Sequence, residues 1–401
     1  MHAPNALPPR ESALADPQAS HSPQPNPRAS TGALTIGIDA RAAVEVPAGR
    51  GRVVRELLRA LAERTDDDLR YVLYARTPWR EQVLDERFRW CAVEAREPRW
   101  HVHAARRANR ECDAFFATNS YLTPQFLRIA CVPLVHDLVT FDRTMRPNRR
   151  SRAIEQLTLG PAVRRAAALI VTTHVTAALL AQRFPRAADR IVVAPLGVAP
   201  ALEERVPPED AATLPRPGFV LAAGTLEPRK NLPRLVEAYR QLPRALRERH
   251  PLVVVGALGW ETGATLDALD SLGGQAIRLG YVSDAALAEL YRRCAVFCYP
   301  SLGEGFGLPV LEAMAAGAAV LTSNLSSLPE VGGDAAGYVD PYEIASIAAG
   351  LARLLDDEAE RAELSRRGRA RAAEFSWGGF AEQTLATLTR AASDQLSKTR
   401  S

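Results

Sequence analysis

The sequence predicts an α/β protein of two doubly wound, parallel-sheet domains, and three observations carry that expectation. The chain has 401 residues, enough for two domains at on the order of 150 residues each. From residue 35 onward short apolar runs alternate with amphipathic helical stretches, the pattern of strand-helix-strand units feeding parallel sheets. The alternation breaks once, at residues 199–217, where APALEERVPPEDAATLPRP is Pro-rich, acidic and aperiodic, as an interdomain linker is.

Taken in order, residues 1–32 are rich in Pro, Ser and Ala and lack the apolar core of a secretory signal, so a disordered tail is expected. The first domain, residues 33–200, is expected to draw strands from the apolar runs Thr35–Ile38, Tyr71–Tyr74, Ala114–Ala117, Ile129–Val135, Leu169–Thr172 and Ile191–Ala194. Residues 201–217 form the linker. The second domain, residues 218–375, is expected to take Phe219–Ala223, Leu252–Val255, Ile277–Leu279, Val296–Tyr299 and Val320–Thr322. Helical periodicity returns in FSWGGFAEQTLATL, and residues 376–391 are expected to form a terminal helix. Ligands of such sheets bind beyond the carboxyl ends of strands, so function is sought there.

Composition narrows the class. Hydrophobic content of 47% with 24% charge suits a soluble globular chain, and no apolar run approaches the roughly 20 residues of a membrane span. Five cysteines, an odd number set in apolar runs, point to reduced thiols and the cytoplasm. Residues 31–200 hold 27 arginines and no lysine against 18 acidic residues, a formal +9, whereas residues 201–401 carry −5. The clusters HAARRANR (103–110) and RTMRPNRRSR (143–152) suit an anionic lipid surface or a phosphorylated acceptor, with a solvated Arg-rich face as the alternative. No nucleic acid partner is expected.

After the Val296–Tyr299 strand come Pro300, Ser301 and Leu302-Gly-Glu-Gly-Phe-Gly, and Pro309 then opens a helix. Gly303, Gly305 and Gly307 permit close backbone approach, and a new helix offers unpaired N–H groups with a positive dipole end, which suits a phosphate. Glu304 and Glu312 add carboxylates that accept hydrogen bonds from sugar hydroxyls and repel bare phosphate. The expected ligand therefore has both parts. In AAGTLEPRKNLPRLVEAY (222–239) Arg229 and Lys230 precede a helix, where adjacent cations neutralise a leaving diphosphate. Alone, such a pair is more often solvated surface. CVPLVHDLVTF (131–141) places His136 and Asp137 directly after an apolar strand.

The string PSLGEGFGLPVLEAMAAG resembles the donor-site motif of glycosyltransferase family 4 (group 1), in which seven residues separate two glutamates, as they do Glu304 and Glu312. The resemblance spans roughly residues 35 to 390. It implies the GT-B architecture, two Rossmann-like domains with a donor cleft between them and a terminal helix that crosses back onto the first domain. Glu304 with the amides of Phe306 and Gly307 would then hold the transferred sugar, Glu312 the ribose hydroxyls, and the amides near Leu308 the diphosphate. EPRKN resembles the family segment whose basic pair, here Arg229 and Lys230, binds the pyrophosphate. Thr225 follows Gly224 where some relatives carry a further Arg. VHD resembles the family's HD segment, so His136 would lie against the sugar as electrostatic support, oriented by Asp137. AGRGRVVRELL aligns Gly49 and Gly51 with a loop written GIGRY in relatives, whose glycines would allow close backbone approach to the phosphate, and LGYVSDAALAELYRRC resembles the segment that cups the base near Tyr281 and Val282, with Ser283 or Asp284 capping the next helix.

The resemblance implies a retaining, same-face transfer in which the leaving phosphate helps to take the acceptor proton. A nucleotide sugar is the co-substrate, with no further cofactor, and similarity to bacterial mannosyltransferases of surface-polysaccharide assembly favours GDP-mannose. Rhamnose, fucose and glucose donors stay open. The expected acceptor is a glycan, lipid-linked or in lipopolysaccharide, O-antigen or exopolysaccharide synthesis, met at the inner face of the cell membrane. No metal is expected, since the one Asp-x-Asp match, Asp66-Asp67-Asp68, lies in a polar turn. The competing readings are a nucleotide-sugar epimerase or hydrolase on the same fold, and a non-catalytic nucleotide-sugar-binding protein.

Overall fold

A computed structural model describes residues 33–46, 49–79, 84–138, 141, 149–198, 206 and 214–400. The expectations for residues 1–32, for most of the linker 201–217, and for the side chains of Arg143, Arg146, Arg149 and Arg150 lie outside the described residues.

The first domain is built on a seven-stranded parallel sheet. Its strands are β1 (Leu34–Asp39), β2 (Leu69–Ala75), β3 (Phe88–Ala92), β4 (Ala114–Ala117), β5 (Ala130–Val135), β6 (Leu169–Val171) and β7 (Ile191–Val193), in the order β3-β2-β1-β4-β5-β6-β7. The second domain carries six parallel strands, β8 (Val220–Ala223), β9 (Leu252–Val255), β10 (Ala276–Gly280), β11 (Val296–Tyr299), β12 (Val320–Ser323) and β13 (Gly337–Val339), in the order β10-β9-β8-β11-β12-β13. Strand order therefore reverses between β1 and β4 and again between β8 and β11, the places where doubly wound sheets open a crevice.

Two strands depart from the sequence expectation. β3, FRWCA, is mostly half-exposed, and β13 has only three residues. Both are sheet edges, where one side lacks a neighbour and the continuous apolar run of a buried parallel strand is not required.

Helix packing follows from the sequence. The Arg50–Ala62 helix buries Val53, Val54, Leu57, Leu58 and Leu61 on one face. The Leu308–Ala316 helix starts from Gly307 at φ +106° with Pro309 in its first turn and stops at Gly317, φ +84°. Its residues 310–314 are all buried, so Glu312 projects from a central helix. The Trp377–Arg400 helix packs back on the Arg50–Ala62 helix and on β4 and β5. Through Trp377, Phe380, Leu385 and Leu388 one hydrophobic core runs continuously between the domains.

The chain passes between domains at adjacent points. A Cβ at Gly197 would lie 2.2 Å from the Trp377 amide nitrogen, so the outgoing and returning segments touch. All five cysteines are free thiols. Among the described residues no helix is long and apolar enough to cross a membrane.

Candidate active site

The site begins where β8 ends. The chain turns through Gly224, φ +130°, into a short turn at Pro228–Lys230 closed by Asn231 at φ +61°. The Asn231 amide donates to the carbonyls of Pro300 (3.1 Å) and Pro341 (2.7 Å), which pins the basic pair beside the loop that follows β11. There Glu304 receives Lys230 Nζ at 2.7 Å, Tyr299 OH at 2.8 Å, Ser301 Oγ at 2.7 Å and the Arg229 guanidinium. Arg229 also donates to the Gly303 carbonyl at 2.7 Å and to Glu227 at 2.5 Å.

Electrostatics follow from burial against pairing. Burial alone would raise the Glu304 carboxyl, but Arg229, Lys230 and the hydrogen bonds from Lys230 and Ser301 outweigh it and hold it at about 2. Burial and the adjacent Arg229 lower Lys230 despite Glu304. Burial also opposes the Arg229 charge, yet Glu304 and Glu227 drive it upward. The two cations and Glu304, given separate tasks by the sequence, thus form one cluster, half-buried Arg229 and Lys230 on a buried carboxylate. An anion that reaches Arg229 and Lys230 competes with Glu304, and displacement frees that carboxylate to accept hydrogen bonds from hydroxyls. A cavity lined by Ala223, Gly224, Lys230, Tyr299 and Pro300 adjoins it.

His136 follows the end of β5, and its carbonyl oxygen lies against Gly305, the neighbour of Glu304. Its Nε2 stands 2.8 Å from the Thr118 carbonyl, and because a carbonyl only accepts, Nε2 carries the proton. Burial, then the Arg50 guanidinium, lowers the imidazole to about 4. His136 is therefore neutral at physiological pH. Its ring is fixed by the Thr118 carbonyl at Nε2, so the electrostatic support expected of it would come from an oriented dipole with Nδ1 as acceptor rather than from a charge.

Gly305 also differs from expectation. A Cβ there would lie 2.1 Å from the His136 carbonyl oxygen and 2.9 Å from Asp137 Cβ. Its missing side chain lets the two domains meet instead of admitting a ligand. The Gly305 carbonyl accepts from Thr172 and Thr173 hydroxyls, both at 3.3 Å. Phe306 is buried edge-on to Phe375, with centroids 5.8 Å apart, and its carbonyl accepts from Ser327 Oγ at 2.9 Å. Gly307 needs its positive φ to start the helix at Leu308.

The opposite end of the cleft holds Glu312, whose partners are the Arg52 guanidinium and, at 3.4 Å, Tyr291 OH. Burial raises the Glu312 carboxyl and Arg52 opposes the rise. Arg52 simultaneously pairs with Asp284, which follows the exposed Tyr281 and half-buried Val282. Ser283 caps the Asp284–Arg293 helix by accepting from the Ala286 amide at 3.2 Å. Gly49 begins the Arg50–Ala62 helix at φ +54° with open space beside it. Gly51 is different, since a Cβ would sit 1.7 Å from the Val46 carbonyl oxygen. Its glycine serves internal packing, a correction to the phosphate approach expected of it.

Two functional contacts escaped the sequence. Arg52 stands in a string that reads as an ordinary helix start. Glu330, in the Leu328–Gly332 helix, accepts the backbone N–H groups of His174 (2.7 Å) and Val175 (3.0 Å), so the second domain caps a helix of the first. No spacing in either segment signals these pairings.

Two Rossmann-like domains, with cations and carboxylates gathered beyond the strand ends of one and a histidine presented by the other, define the GT-B class of glycosyltransferase. The model of the family described as glycosyl transferases group 1 matches residues 209–371. O-antigen chain mannosyltransferase B of Escherichia coli is 35% identical over 279 residues, 68% of this chain and 72% of that protein. The chain belongs to the group 1 glycosyltransferases and is an enzyme of that kind. Serotype-specific mannosyltransferase WbdA of Escherichia coli is 40% identical over 176 residues, 43% of this chain but 22% of that protein. Among solved structures, sucrose-phosphate synthase from Thermosynechococcus elongatus superposes with a TM-score of 0.71 at 21% identity, covering 89% of this chain and 98% of that one, a likeness of fold.

Proposed function

We propose that this glycosyltransferase moves mannose, with retention, from GDP-mannose to a glycan acceptor of surface-polysaccharide assembly. The observation that carries it is the cluster of Arg229 and Lys230 on the buried Glu304, in a loop whose next residue, Gly305, seats against the His136 carbonyl of the other domain. Cations take the charge of a departing diphosphate, Glu304 takes sugar hydroxyls, and Glu312 takes those of the ribose. The sugar C1–O bond to the β-phosphate breaks. The acceptor oxygen bonds to C1 on the same face, and the departing phosphate oxygen receives the acceptor proton. The mannosyltransferase relatives support the choice of sugar. For a lipid-linked acceptor at an anionic membrane face, the support is the basic first domain and the exposed Ile154 and Leu157 near Arg152 on one helix.

The test is incubation with labelled GDP-mannose, and with rhamnose, fucose and glucose donors, in the presence of lipid-linked glycan acceptors, the product anomer being read by NMR. The expected outcome is an α-mannoside formed only with acceptor. Acceptor-free turnover would mark an epimerase or hydrolase, and donor binding without turnover a binding protein. Neutralising Arg149, Arg150 and Arg152 should release the protein from anionic liposomes; retained binding would remove the membrane from the proposal.

A further inference from the structure

Arg52 belongs to the first domain, yet its partners lie in the second. One terminal nitrogen of its guanidinium donates to Glu312 and the other to Asp284. The pairing is sheltered, with the Arg52 side chain 13% exposed and that of Glu312 4%. Glu312 projects from the buried Leu308–Ala316 helix, and Asp284 opens the helix immediately after the Tyr281–Ser283 loop. A single cation thus joins, from across the cleft, the ribose carboxylate and the edge of the base loop.

We infer that Arg52 is a positioning residue: by bridging Glu312 and Asp284 it keeps Glu312 an ionised acceptor aimed at the donor ribose, and it ties nucleoside binding to the closed arrangement of the domains. This inference rests on the reading of Glu312 as the ribose carboxylate. An ionised carboxylate accepts two hydroxyls through its two oxygens, whereas a protonated one gives up part of that capacity and becomes a donor. The groups facing Glu312 are Arg52, Asp284 and Tyr291, with Glu56 beside the guanidinium on its own helix. Burial, the Asp284 charge and the absence of Arg52 would all act in one direction, toward protonation. Because the cation comes from the other domain, closing the cleft is what ionises the carboxylate, and ribose hydroxyls that need the ionised form favour the closed state.

The experiment uses the full chain, Arg52→Met and Arg52→Lys, with GDP as probe. GDP affinity is measured by calorimetry from about pH 6 to about pH 8, domain closure by small-angle scattering with and without GDP, and kcat and KM with GDP-mannose. Arg52→Met should bind GDP at least about tenfold more weakly than wild type, and more weakly still as pH falls, while wild type changes little. KM should rise more than kcat falls, the ligand-free envelope should widen, and Arg52→Lys should recover most of the affinity and the flat pH profile. Wild-type GDP affinity with a flat pH profile in Arg52→Met would overturn the inference and leave the ribose reading standing. Wild type that binds no GDP, although Arg52→Met widens the envelope, would overturn the ribose reading and with it the coupling.

Discussion

Glu304 is the counter-ion that lets Arg229 and Lys230 stand together in the cleft. Glu304→Gln removes the buried partner of that ion cluster, a change that costs on the order of 3 kcal/mol. An anion supplied from outside can then replace the lost carboxylate. GDP should therefore raise the melting temperature of Glu304→Gln by more than it raises that of wild type. Equal shifts in differential scanning fluorimetry would take the basic pair out of the diphosphate site. His136 makes a second residue-level prediction. Its imidazole is held at about 4 against 6.5 in the unfolded chain, so below 6.5 the unfolded state binds a proton that the native state refuses. Its contribution is complete above pH 6.5 and lost as pH falls toward 4, which urea unfolding at stepped pH will show as a slope absent from His136→Gln. The Glu304 contribution is lost in a lower window, from 4.5 toward 2. His136, Arg229, Lys230 and Glu304 could be picked out in the sequence because they sit in the segments that follow apolar strands, and Glu312 because it stands seven intervening residues beyond Glu304 in a string that resembles the family motif. Arg52 and Glu330 could not, because their partners lie 260 and 156 residues away and only the approach of the domains brings them together.

At the scale of elements, strand-loop-helix alternation made the sheets legible, and edge strands β3 and β13 escaped because an edge is not bound to a continuous apolar pattern. Glycines in GRGR and GEGFG were visible too, but not what their missing side chains make room for. Gly51 packs the Arg50–Ala62 helix onto the end of the Arg41–Glu45 helix, with the Val46 carbonyl oxygen where a Cβ would be. Gly51→Ala forces main chain apart and should cost about 2 kcal/mol, several degrees in melting temperature. GDP affinity of the folded protein should hold. A variant of wild-type stability but weakened GDP binding would restore the phosphate-approach reading of Gly51.

At the scale of the molecule, the two domains are held by contacts that neither needs for its own fold. Arg52 clasps Glu312 and Asp284, Gly305 lies against the His136 carbonyl, and Glu330 caps the amino end of the His174–Arg183 helix. The paired crossings at Gly197 and Trp377 keep the domains tethered whether these contacts form or break. Across the cleft, away from the apolar core that joins the domains at Trp377, closure rests on these few contacts, and Glu330 offers the cleanest way to shift it. Glu330→Gln keeps the side-chain size but replaces a two-oxygen anion at a helix amino end with a neutral amide bearing one acceptor. The loss is about 1 kcal/mol, roughly a fivefold move toward open molecules. Single-molecule energy transfer between dyes on the two domains should show that shift in ligand-free protein, with the melting temperature nearly unchanged because the capped amides return to water on opening. Saturating GDP should restore the closed population through the Arg52 clasp. An unaltered distance distribution would mean that the Glu330 cap does not contribute to closure, leaving the contacts of Arg52 and Gly305 to set it.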